Sequence, residues 1–228
     1  MMITIIKPSW EFVSAGPFEG METHLELCGR TCYKSEDRIN RDSAERFVRR
    51  ICKNNHTSVL EHQSVSVRII CSRACSHQLV RHRLAAYSQE SQRYCNYGKK
   101  GFQFIAPPSV MLLPGEYATD HYDWYLYPDE GEAILIPETV RRTYLGSLQG
   151  AHDSYMLLSE HIPPEDARYL LPNASKTEIV VTMNLRMWQH VFRERAFNEH
   201  AQWEIRGIFK GIFEQFYLHL PSVFGDMQ

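Results

Sequence analysis

Two hydrophobic periods alternate along this chain, and that alternation limits what it can fold into. Ser64-Val65-Ser66-Val67-Arg68-Ile69 alternates polar and apolar side chains, and the stretch 178–184 is rich in β-branched residues, so both read as strands. Ala201, Ile205, Ile208, Phe209, Ile212, Phe213, Phe216 and Leu220 instead recur every three or four positions, the period of a helix with one buried face. Strands and helices therefore share the chain. Residues 2–6 read as a first strand stopped by Lys7-Pro8, and 102–106 as another ended by Pro107-Pro108. Helices are expected over about 20–33, from Asp42 or Ser43 through Ile51, from Ser72 to about Arg83, and from Pro137 to His161. The last should bury Val140, Tyr144, Leu148, Tyr155 and Leu158. A short helix starts at Pro163-Pro164 and stops at Pro172, while 109–131, rich in Pro, Gly, Asp and Tyr, reads as an irregular insert. With no repeat and no linker, the expectation is one α+β domain over 1–228, with a mixed or antiparallel sheet and long helices.

The 228 residues carry 25 Lys+Arg against 27 Asp+Glu, a net charge of −2, which argues against a nucleic-acid coat but allows a local basic pocket. No apolar run approaches the ~20 residues of a membrane span, and the start MMITIIKPSW reads as a strand and not an export signal. The expectation is a cytoplasmic protein with neither nucleic-acid nor membrane partners. Of six cysteines, Cys28/Cys32 and Cys71/Cys75 are spaced one helical turn apart, suited either to a metal or redox pair or to free, half-buried thiols in helices. The second reading is preferred, since no C-x2-C pair occurs, and no metal is expected.

Three polar segments stand out. In Gln78 to Tyr94, Gln78, Arg81 and His82 fall at i, i+3 and i+4, with Arg93 two residues after Ser91. Guanidinium forks and an amide at that spacing suit a phosphate or a nucleotide carbonyl edge, and they equally suit a solvated helix end. His56, Glu61 and His62 match no zinc spacing, so they read as structural or hydrogen-bonding side chains. Around Asn184-Leu185-Arg186 to Arg206, Arg186 and His190 share a helix face, and Trp188 and Trp203 fit either a stacking, anion-binding wall or a salt-bridged helix pair. Arg168, with Glu165 and Asp166 just before it, permits a local ion pair. No Gly-rich phosphate loop is present, so a nucleotide cofactor would have to be held by side chains.

Arg81-His82-Arg83 followed after seven residues by Ser91 resembles the R-H-R-x7-S signature of flavin-dependent thymidylate synthases, extended by Gln92-Arg93-Tyr94. The His56 to His62 stretch upstream resembles the family too. So, downstream and in order, do Arg168 with Leu171-Pro172, Asn184-x-Arg186, and Arg195 with Ala201-Gln202-x-Glu204-Ile205. The likeness spans roughly 2–220. It implies an α+β domain in a homotetramer with active sites shared between subunits. The implied activity is methylation of dUMP to dTMP, using 5,10-methylenetetrahydrofolate, FAD and NADPH.

Carried over by residue, Gln78, Leu79, Val80, Arg81, Gln89, Glu90, Ser91, Gln92, Arg93 and Arg168 fall at dUMP positions. Ser58, Arg81, His82, Arg83, Gln89, Asn184, Leu185, Arg186 and His190 fall at FAD positions. Arg195 falls where the family places the arginine that stabilises ionised N3 of dUMP, with Arg193 the alternative because one extra residue lies before Ala201-Gln202. Two further departures are Ser88-Gln89 in place of Asn-Glu and His190 in place of a frequent asparagine. Raising electron density through N3 activates uracil C5 without a thiol, which agrees with cysteines that have no neighbouring base. Two rivals account for part of the pattern: a metal-dependent nucleotide hydrolase and a non-catalytic nucleic-acid-binding module.

Overall fold

The computed structural model describes residues 2–95, 97, 101–118 and 137–227. In chain order these contain β1 (Met2–Ile5), β2 (Ser9–Phe12), α1 (Met21–Thr31), α2 (Ser43–Lys53), β3 (Ser64–Ser72) and α3 (Arg73–Leu79). Then follow β4 (Ala86–Gln89), β5 (Gln103–Phe104), β6 (Gly115–Ala118), α4 (Glu138–Ser159), α5 (Pro164–Ala167) and β7 (Lys176–Asn184). The chain ends with α6 (Leu185–Phe192), a π turn (Arg193–Phe197), α7 (Trp203–His219) and α8 (Pro221–Phe224). The mixture of helix and sheet is the expected one. Contacts group the chain into two units: 1–9, 70–77 and 89–179 in one, and 10–69, 78–88 and 180–228 in the other. Each change of unit after β2 falls inside an element (β3, α3, β4 or β7), so no linker composition marks it.

In the first unit β1 pairs in parallel with β5, with Ile5 opposite Phe104, and antiparallel with β6, with Ile3 opposite Tyr117. Alternation along β1 turns Ile3 and Ile5 inward, where they pack with Phe104, Val110, Leu112 and Tyr117. Leu145 and Leu148 of α4 close that core, and Tyr155 packs with Tyr97 and Ala167. Val140, expected on the buried side of α4, is exposed. At ~100° per residue it lies about a quarter turn round the helix from the Leu145–Leu148–Tyr155 stripe. Tyr144 and Leu158 are only partly buried. The expected insert begins with a 3-10 turn (Pro108–Val110) and strand β6, and the remainder, 119–131, lies outside the described residues.

In the second unit lies most of a four-stranded sheet of order β2-β3-β7-β4. β2 was not expected, because Lys7-Pro8 reads as a stop. The chain resumes as a strand directly after the proline, with Trp10 set so close to Gly211 that a Cβ there would stand 2.9 Å from the indole nitrogen. Gly29 likewise lets α1 approach α2, since a Cβ would lie 2.7 Å from the Phe47 ring. The same helix pair buries an ion pair. Glu26, 1% exposed, accepts from Arg30 Nε at 2.7 Å and from Ser43 Oγ at 2.7 Å. Trp188, expected as a possible stacking wall, is instead fully buried against Phe192, Phe209 and Phe216, and its indole N–H donates to Val65 O.

Helix α3 stops at Leu79, short of the expected Arg83. Arg81 N and His82 N reach back only to Gln78 O and Leu79 O, so the helical ladder gives way to a turn. The Tyr87 hydroxyl lies 2.9 Å from Leu79 O and 2.8 Å from His82 O and serves these end carbonyls in place of further helix. The polar stretch after it begins as strand β4, not as a loop. None of the six cysteines is joined in a disulfide. Cys71 is the penultimate residue of β3 and Cys75 sits in the helix after it, so the pair is not one helical turn, and both residues are buried. Among the described residues no helix is long and apolar enough to cross a membrane.

Candidate functional site

A cleft of about 640 Å³ in the second unit is lined chiefly from two chain segments, 81–84 and 184–190. The turn after α3 brings Arg81, His82, Arg83 and Leu84, and the β7–α6 junction brings Asn184, Arg186, Met187 and His190. Each segment is held locally. Tyr87 folds the turn, and burial pushes its phenol up to about 12, so it stays a donor. Asn184 caps α6, its Oδ1 accepting from Met187 N at 2.8 Å, which leaves the amide nitrogen to donate elsewhere. Helical spacing then aligns Arg186, Met187 and His190 along the cleft.

Glu61 also lines the cleft, paired with Arg186 at 2.5 Å in a half-exposed ion pair. The sequence marked Glu61 only as one of a histidine-flanked trio; His56 and His62 are exposed. Leu84 and Met187 escaped the sequence reading, although Leu84 directly follows Arg83 and Met187 lies one turn before His190. Ser58, expected beside these residues, lines a neighbouring pocket of about 790 Å³ that shares Arg186. Leu185 is fully buried and offers no side chain to the cleft.

Arg195 extends from the π turn, and its Nε donates to His82 Nε2 at 2.9 Å. The His190 ring stands edge-on to His82 at 5.8 Å. Burial foremost, then Arg195 and His190, pushes the His82 imidazole down to about 4, so it is neutral at neutral pH. Arg193 lines a different pocket of about 510 Å³, with Lys53 and Asp226. Of the two candidate arginines, Arg195 is therefore the one joined to the R-H-R segment. Cys52, in that second pocket, is pushed up to about 11 by burial and by Asp226, which makes it a poor nucleophile.

The other expected nucleotide residues lie in the first unit, from Gln89 onward. Gln89 Nε2 donates to Ser76 Oγ at 2.9 Å and to Thr177 Oγ1 at 3.2 Å. Glu90 accepts from Lys176 Nζ at 3.0 Å, and its N–H donates to Glu178 O. These bonds pin the start of the loop to β7. Ser91 Oγ accepts from Arg93 N, and Ser91 O accepts from Cys95 N, so Ser91 opens a turn and has no base to activate it among the described residues. Arg93 pairs with the Glu165 carboxylate at 3.3 Å, while Arg168 Nε donates to the Glu165 carbonyl. The local Arg168 carboxylate pair that the sequence permits is thus replaced: Glu165 gathers both arginines, one at each end. Of the expected residues at the end of α3 and just after it, in the second unit, Leu79 is buried, Gln78 is half-buried and Val80 is exposed.

Proteins called flavin-dependent thymidylate synthase from Geobacter sulfurreducens and Pyrococcus furiosus are each 36% identical to this chain. The first aligns over 213 residues, 90% of this chain and 81% of that protein; the second over 187 residues, 81% and 67%. A family model described as thymidylate synthase complementing protein matches residues 17–222. The chain belongs to the flavin-dependent thymidylate synthase family. Membership bears out the resemblance drawn from the R-H-R-x7-S signature. It also gives the departures from the family's pattern a local setting: Gln89 serves hydroxyls, and His190 faces another imidazole.

Proposed function

We propose that the chain makes dTMP by reductive methylation of dUMP, with 5,10-methylenetetrahydrofolate as carbon donor and NADPH as reductant. The observation that carries this is the cleft uniting Arg81, His82 and Arg83 with Asn184, Arg186 and His190. Its donor set fits FAD. Three guanidiniums supply the forked donors a diphosphate needs where no Gly-rich loop exists, and Leu84 and Met187 offer apolar surface to a ring. When bound, reduced FAD supplies the hydride that completes the new methyl group.

The chain's own residues do the rest. Arg93 and Arg168 hold the phosphate and orient the base, with Ser91 and Gln92 as further ligands. Arg195 holds negative charge at uracil N3, which raises electron density at C5 and makes that carbon the nucleophile. No cysteine is needed, in keeping with the raised Cys52 thiol. The working form is read as one domain over 1–228 in a cytoplasmic homotetramer, without nucleic-acid partners.

The test is an absorbance spectrum of purified protein with and without dUMP, and tritium release from 5-tritiated dUMP. The spectrum should show bound flavin, and release should require both folate donor and reductant. Colourless protein that takes up no FAD refutes the reading. Stoichiometric zinc or manganese would point to a hydrolase, and salt-dependent oligonucleotide binding to a nucleic-acid module.

A further inference from the structure

The contact between Arg195 and His82 joins the middle residue of the π turn to the middle of the R-H-R segment, 113 positions apart in sequence. Its direction is fixed by chemistry. An arginine Nε carries only a hydrogen to give, so His82 Nε2 must present a lone pair and the imidazole proton belongs on Nδ1. Around the ring stand Arg195, the edge of His190 and, from the π turn, Glu194. His82 is 7% exposed, so water does not compete freely for that lone pair. Among the described residues the Arg195 side chain makes no other hydrogen bond, so its two terminal nitrogens stay available to a ligand.

We propose that His82 is a positioning residue for Arg195: its bare Nε2 takes the Nε–H, fixes the plane of the guanidinium, and leaves both Nη groups to the uracil. The inference rests on the reading of Arg195 as the group that stabilises charge at N3. It separates the roles within the R-H-R segment. The flanking arginines are free to serve the cofactor, while the histidine between them sets the geometry of a residue it does not neighbour in sequence. It also gives the histidine a requirement that no cation meets. A protonated ring would set N–H against N–H and release the arginine.

The experiment compares His82→Phe, which keeps ring shape without an acceptor, and His82→Gln, which restores an acceptor oxygen at similar reach. Both are made with and without Arg195→Ala, and all rates are taken per bound flavin. His82→Phe should lower kcat by about 10- to 100-fold, the weight of a hydrogen bond from a charged donor. KM for dUMP should change far less, and His82→Gln should recover most of the loss. In the Arg195→Ala background, His82→Phe should cost almost nothing further. Nitrogen-15 NMR of the folded protein should show His82 Nε2 unprotonated near pH 7, with its resonance shifted by Arg195→Ala.

Equal losses with and without Arg195, or no rescue by glutamine, overturn the proposal. So does a protonated Nε2, and that NMR result decides the contact even if a variant sheds its flavin. If the wild-type protein makes no dTMP at all, the proposed reaction fails, and the NMR comparison still reports separately on the pair.

Discussion

The family's pattern carries a glutamate where this chain has Gln89, and the surroundings of Gln89 make a counter-intuitive prediction: restoring the glutamate will destabilise the protein. Ser76 Oγ already gives its hydrogen to Arg73 O at 3.0 Å, so toward position 89 it can only accept. The amide meets that need, donating to Ser76 Oγ and to Thr177 Oγ1, both on fully buried residues. In Gln89→Glu a carboxylate faces the same oxygens without a hydrogen to give. The bond to Ser76, ~1 kcal/mol, is lost, the Thr177 hydroxyl can turn to donate instead, and the unpaired Ser76 oxygen with partial desolvation of the charge brings the total to roughly 2–3 kcal/mol. For a chain of this length that corresponds to a melting point lower by roughly 4–12 °C.

A protonated glutamate can donate again, which gives the prediction a second handle. The neutral form is favoured in the fold, so the folded pKa of the new carboxyl rises above its unfolded value of ~4.3. The deficit should be smallest below that unfolded value and should grow as pH rises through the folded pKa. Thermal unfolding followed by circular dichroism at pH 5 and pH 8 makes the measurement. An unchanged or higher melting point at pH 8, or a deficit that does not shrink at pH 5, would refute the hydrogen-bond assignment.

Three further outcomes are expected. Because the fold holds His82 near 4 against an ordinary value of ~6.5, stability should be free of this group above pH ~6.5 and fall as pH drops from there toward 4, by up to one proton's slope; urea titrations of His82→Gln should show that slope reduced. Glu26→Ala leaves Arg30 buried without its carboxylate and should cost about 3–5 kcal/mol in chemical denaturation, whereas a change below 1 kcal/mol would mean the pair is not desolvated. Glu165→Gln frees Arg93 from a half-exposed ion pair, so calorimetric dUMP affinity should improve by up to about fivefold, and weaker binding would make Glu165 itself part of the site.

What could be read from the sequence divides along physical lines. Strands β3 and β7 and helix α7 were legible because each has one buried face, and a buried face writes its period into the chain. β2 and β6 were not, since four residues beside a proline or starting with a glycine carry too little pattern. The end of α3 was misjudged because the sequence Val80 to Arg83 suits a helix, while the actual stop comes from Tyr87, a residue outside the helix. At the site, helical spacing singled out Arg81 with His82 and Arg186 with His190, the resemblance added Arg83 and Asn184, and the fold does bring these six to one cleft. Spacing did not reveal the His82–Arg195 bond or the Arg93–Glu165 pair, because both are contacts at long sequence separation. Trp188 was the converse case: an aromatic among polar neighbours that belongs to the core.

The π turn at Arg193–Phe197 carries a consequence for how insertions are tolerated here. A π turn is wider than an α turn and stores one more residue without lengthening the helix in proportion. The resemblance implies one extra residue between Arg195 and Gln202, and the wide turn is where such slack can be taken up. Upstream of the turn, Asn184 caps α6 by accepting from Met187 N; downstream, Gln202 caps α7, accepting from Glu204 N and Ile205 N. The turn thus acts as an expansion joint between two rigid spans, and numbering carried across it from relatives has to be anchored afresh on each side.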